Sequence, residues 1–251
     1  MVSLFSFSFT PAEFVSFLFV ALFIGMSKTG VHGVGMIAVP MLAVVFGGQL
    51  SSGIMLPILC LADVMGVWYY HRHASWDHLK KLFPWAAAGT ILGTAVGGMI
   101  DDQAFRLIMA VIILISVVIM VWMERGHKED IPHYLWFAAL CGVAAGFTSM
   151  IGNLAGSVMA VYLLSMRLPK NEFIGTSAWF FMAINWFKIP FHVFFWKTIS
   201  WNTFLLDLTT LPVIAAGAWL GVIIVTRLSE QTYRWFIIAM TIVAAVFMVV
   251  W

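Results

Sequence analysis

The feature that most constrains this chain is a succession of apolar runs, each near the length needed to cross a bilayer core. They fall at residues 11–26, 34–46, 54–70, 83–100, 107–123, 134–150, 154–166, 173–196, 204–225 and 235–251. Polar, glycine or proline punctuation separates them. The residues between the runs cannot cover a globule's surface: 63% of the chain is hydrophobic and only 10% charged, against about 25% charged in soluble domains. Mean hydropathy is +1.01. Lipid is therefore the solvent, and only helices or closed barrels satisfy their backbone there. Runs of this length read as helices, and Trp68, Trp85, Trp122, Trp136, Trp196, Trp201, Trp235 and Trp251 flank them as an interfacial belt. Residues 1–11 carry no Lys or Arg and no small-residue cleavage pattern, and they read as the lead-in to a retained helix.

The chain also repeats. Pro84, Gly89, Gly93, Gln103 and Arg106 recur 128 positions later as Pro212, Gly217, Gly221, Gln231 and Arg234, with Phe105 matching Tyr233 in the same frame. The expected organisation is a first membrane repeat over 1–125, a connecting loop at 126–130 and a second repeat over 131–251. Five segments per half is odd, so the halves are expected in inverted orientation. Of the 13 Lys and Arg, nine lie in alternate loops: Arg72, Lys80, Lys81, Arg125, Lys128, Arg167, Lys170, Arg227 and Arg234. The opposite loops hold only Arg106 and Lys197. The positive-inside rule then puts both termini outside the cytoplasm. The second and seventh runs are short, and each follows a Gly/Ser/Thr-rich break. The fold expected is an all-α polytopic transmembrane bundle of two inverted repeats with broken or re-entrant helices, the architecture of secondary transporters.

The remaining cations, Lys28 and Lys188, lie in no such loop. Lys28 sits in the first break, Ser27-Lys28-Thr29-Gly30-Val31-His32-Gly33-Val34-Gly35. Glycines there allow close backbone approach, and hydroxyls, freed N–H groups and a new helix N-terminus suit an anion. Lys28 could instead snorkel from the end of a short helix. His32 reads as a second donor or proton carrier, or equally as a packing histidine. The second break offers Thr148, Ser149 and Asn153, the last either a ligand donor or an interhelical bond. In the eighth run Asn185 and Lys188 share one face, and Pro190 should kink the helix where Lys188 points inward. Asp63 reads as the only acid well inside a span, either paired with a buried lysine or shuttling protons.

Other chemistries fit poorly. A net charge of +2 without a basic stripe excludes nucleic acid as a partner. Cys60 and Cys141 form no pair and read as buried small hydrophobes. The group His71, Arg72, His73, Asp77 and His78 reads as a wet loop rather than a metal site. No nucleophile triad, phosphate loop or haem attachment is present, so no enzyme, cofactor or metal is expected.

With these residues in view, the chain resembles the TauE/SafE sulfite exporter family. The likeness lies in GMSKTGVHGVGMIAVP (25–40), YYHRHASWDHLKKLFP (69–84), LPKNEFIGTSAWFFMAINWFKIP (168–190) and the duplicated P-x4-G-x3-G. The resemblance implies a multi-pass transporter of the inner membrane for small sulfur-containing anions, sulfite and organosulfonates. It carries Ser27, Lys28, Thr29, Asn185 and Lys188 over as site residues. The alternatives are an anion channel and a membrane enzyme of sulfur or thiol chemistry. A homodimer is left open, because the glycine faces could pack helices within one chain or between two.

Overall fold

The computed structural model describes residues 2–5, 7–46, 48–99 and 135–250, with single positions between 101 and 122. Most of the fifth run, the loop at 126–130 and the repeat positions Gln103, Phe105 and Arg106 lie outside the described residues. The described chain is a helical bundle, and three helices in it are long and apolar enough to cross a membrane: Pro11–Lys28, Leu50–His73 and Leu135–Gly152. A fourth span forms if the bent pair Trp201–Thr209 and Leu211–Thr226 is counted as one.

Two short strands, β1 (Val2–Leu4) and β2 (Phe7–Phe9), pair antiparallel before the first helix. This hairpin departs from an all-α reading. Apolar and polar residues alternate through it, the period of a strand, and Phe9 anchors it against Phe17 and Phe46. Helix α1 (Pro11–Lys28) starts on a Thr10–Glu13 capping box. After it come α2 (Val34–Phe46), α3 (Gly48–Tyr70), a tight turn at His71–His73 and α4 (Trp76–Gly97). The second half holds α5 (Leu135–Gly152), α6 (Ala155–Ser165) and α7 (Lys170–Pro190). Beyond Pro190 the helix widens into a π-turn, Phe191–Phe195, closed by Trp196 N–H on the Phe191 carbonyl. Then follow α8 (Trp201–Thr209), α9 (Leu211–Thr226) and α10 (Glu230–Val250).

Helices α3, α4, α7 and α10 begin before the apolar runs do, because their polar first turns are invisible to hydropathy. The ninth run is not one helix. It divides at Thr210 into α8 and α9, bent by 51°.

The tightest helix pairs are α1 with α9 and α4 with α5. Glycine makes both. A Cβ on Gly217 or Gly221 would strike the carbonyls of Leu22 and Met26, and one on Gly89 or Gly146 those of Val143 and Ala86. Small residues let backbones approach closely where lipid supplies no hydrophobic drive. The glycine-rich faces thus pack helices within the chain. Gly146→Val should part α4 from α5 and lower stability by about 2 kcal/mol or more. Thermal unfolding of the purified variant in detergent checks this.

Three of the loops that carry the cations, near 71–75, 167–170 and 227–230, meet at one end of the bundle. The Ser75 N–H donates to Thr176 Oγ1 (2.9 Å), and the Lys170 N–H to the Glu230 carboxylate (2.9 and 3.1 Å). Lys170 Nζ donates to the Leu228 carbonyl at 2.6 Å.

Candidate anion site at two helix breaks

Helix α1 stops after Lys28 because the backbone turns left-handed twice, at Gly30 (φ 118°) and Gly33 (φ 96°), and α2 begins at Val34. Helix α5 stops likewise at Asn153 (φ 56°), and α6 restarts at Ala155. Asparagine is among the few non-glycine residues that tolerate this region. That explains how the second break turns with fewer glycines than the first.

A cavity of about 40 Å³ lies between the two breaks. A water needs roughly 10–15 Å³ of such space, so it has room for a few waters or one small ion. Ser27, Lys28 and His32 line it from the first break, Ser149 and Asn153 from the second, and Asn185 from α7. Met55 and Leu59 of α3 complete the wall, with Phe181 beside them. Gly35 and Gly156, in the first turns of α2 and α6, also face it. Both half-helices therefore aim their N-terminal, partially positive ends at the cavity.

The charges around it are unequal. Lys28 Nζ lies 2.8 Å from Asp63 Oδ1 and 4.2 Å from the centre of the Phe181 ring. Asn185 Nδ2 donates to the other carboxylate oxygen, Oδ2, at 2.6 Å. Asp63 is wholly buried and fully committed. Lys188 is wholly buried too. Its Nζ donates to Asn153 Oδ1 (2.7 Å) and the Ser149 carbonyl (3.0 Å). Asn153 is fixed in turn by its Nδ2, which donates to Ser52. Among the described residues Lys188 thus meets only neutral acceptors. The one carboxylate of this region is taken by Lys28, and Lys188 has none.

Two other expected residues lie differently. Thr29 faces away from the cavity: its hydroxyl is within reach of the Ala218 carbonyl (2.9 Å) across the α1–α9 contact, where Gly221 leaves it room. His32 lines the cavity, but its Nδ1 is held by Tyr233 Oη (2.9 Å) and the Gly30 carbonyl (3.1 Å), with its ring edge-on to Phe173. The loop histidines part company, His71 bonding the Trp68 carbonyl and His78 the Tyr162 hydroxyl. Cys60 and Cys141 are free and buried.

Asp63 is not alone in being a buried acid, for Asp207 near the end of α8 is also wholly buried. It lies three residues into the run that begins at 204, where the sequence reads as a membrane edge. The chain bends by 51° just after it.

Comparison with curated proteins and with solved structures returns no match. A family model does match: that of the sulfite exporter TauE/SafE, over residues 17–248. The match takes in both helix breaks, both buried lysines and the duplicated glycine pairs, and the chain belongs to the TauE/SafE sulfite exporter family.

Proposed function

We propose that the protein is a secondary transporter of the inner membrane that carries a small sulfur-containing anion, sulfite or an organosulfonate, by alternating access. The observation that carries this reading is Lys188, a buried cation whose partners are neutral. An unpaired buried charge costs several kcal/mol, and an anion in the neighbouring cavity would offset that cost. Two helix N-termini aimed at the same cavity favour the same sign of ligand. Ser27, Ser149, Asn153 and Asn185 would supply donors around it, with Lys28 held in place by Asp63.

The contacts support inverted repeats. Gly217 and Gly221 pack on Leu22 and Met26, while Gly89 and Gly93 pack on Val143 and Phe147. The partners differ by one shift of 121 residues, from 22 to 143 and from 26 to 147. In both pairs the helices run parallel. By contrast, α3 and α7 run antiparallel, with Gly53 against Thr198, Asp63 against Asn185 and Gly175 against His73. A pseudo-two-fold axis exchanging α3 and α7 would pass between Asp63 and Asn185, and the cavity would then lie at the repeat interface. Rocking of one repeat against the other would then open it to alternate sides.

Binding is testable without transport. Sulfite titrated into purified protein at fixed sodium and pH should raise its melting temperature with the logarithm of concentration above Kd, reaching about 2.7 kcal/mol of stabilisation at a hundred times Kd. No shift with sulfite or any simple organosulfonate would withdraw the substrate assignment. The cation-rich end should face the cytoplasm, so a reporter active only outside it, fused after Trp251, should be active. A cytoplasmic C-terminus would reverse the orientation.

A further inference from the structure

Asp207 plays no part in the cavity just described, yet it is the most poorly provided charge among the described residues. The inward stripe of α8 is Thr203, Leu206, Asp207 and Thr210, all buried and spaced as one helix face. Neither Asp207 carboxyl oxygen has a hydrogen-bond partner among the described residues. Among the described helices α8 packs chiefly against α3 and α9. They carry no Lys, Arg or His, and their one charge, Asp63, is already taken by Lys28.

Position makes matters worse. Asp207 lies in the last turn of α8, where the helix end is partially negative and repels an acid. Both the N–H and the hydroxyl of Thr210 go to the Asp207 backbone carbonyl (3.0 and 2.6 Å), not to its carboxyl group. The chain then bends by 51° into α9. A buried acid without a partner, a negative helix end and a break in the span share one remedy, a bound cation. The C-terminal ends of broken helices hold coupling cations in carriers generally. Among the described residues no three His, Cys, Asp or Glu side chains gather as a metal site would require. A single carboxyl group matches a single positive charge.

We propose that Asp207 is the binding site of a monovalent coupling cation, a proton or a sodium ion, taken up or released as the anion moves. The proposal rests on the transporter reading above. The two sites share α3: Leu206 packs in one apolar cluster with Met55 and Leu59, which line the central cavity. Neutralising Asp207 relieves the repulsion at the α8–α9 bend, and α3 is the wall that meets both sites.

The test uses native protein, Asp207→Asn and Asp207→Glu in proteoliposomes with the membrane potential clamped. Exchange of labelled for unlabelled sulfite at equal pH and sodium needs the anion site alone. Net sulfite movement under an imposed pH gradient, and separately a sodium gradient, needs the cation as well. Native protein should respond to one gradient by about tenfold, which names the ion and lies within usual site–site coupling. Asp207→Asn should keep exchange and lose that response, and Asp207→Glu should restore it. A native protein that exchanges sulfite but answers neither gradient overturns the proposal, as does an Asn variant that answers like the native. Should native protein fail to exchange, the transporter reading fails instead. The cation is then tested by melting temperature across sodium concentration and pH. A dependence that Asp207→Asn abolishes supports the site, and one identical in both proteins, or absent from both, overturns it.

Discussion

Asp63→Leu should destabilise the protein by about 3–5 kcal/mol, the usual cost of leaving one half of a buried ion pair behind. Lys28 would remain almost wholly buried, with the face of Phe181 near its ammonium group. Asn185 would lose the acceptor it now holds at 2.6 Å. The paired variant Asp63→Leu/Lys28→Met should recover most of the loss, since apolar replacement of a whole buried pair is often neutral or stabilising. Unfolding of the three proteins in detergent measures this. A double variant no more stable than the single one would mean that the loss comes from removing the pair itself and not from stranding the charge of Lys28.

Lys188→Met should behave in the opposite way. Methionine nearly matches the length of the lysine stem and packs readily into irregular space. The charge it removes has neutral partners, so no carboxylate is orphaned, and stability should hold or rise. Anion affinity should fall by about 30-fold or more, the 2–5 kcal/mol lost when one member of a buried charge contact is removed. Lys28→Met alone, by contrast, should cost stability, because it strands Asp63. The two lysines look alike in the sequence, each a lone cation beside a break or a kink. Only the position of Asp63 decides that Lys28 is the paired one and Lys188 the free one.

Much of this was legible before the fold was known. The breaks at Ser27–Gly35 and Thr148–Gly156 announced themselves by glycines, hydroxyls and short following runs. Six of the eight expected binding residues line one cavity, and a seventh, Lys188, reaches it through Asn153 and Ser149. What escaped depends on partners remote in sequence. Thr29 sits beside Lys28, but its hydroxyl answers to a carbonyl 189 residues away. Asp207 escapes notice because the run at 204–225 reads as one span, and hydropathy cannot register the bend that divides it. The period-two alternation near the N-terminus was a strand signal passed over as a helix lead-in. Asn153 could be named as a donor, but its second task, turning the backbone where glycine would otherwise stand, shows only in its positive φ.

A sulfur anion carried at the cavity between the two breaks would be held there by the charge of Lys188. Exchange of labelled sulfite in proteoliposomes, native protein against Lys188→Met, tests it most directly. Saturable flux is expected in the native protein, collapsing in a variant as stable as the native. Equal flux in both would contradict it and move the anion away from Lys188.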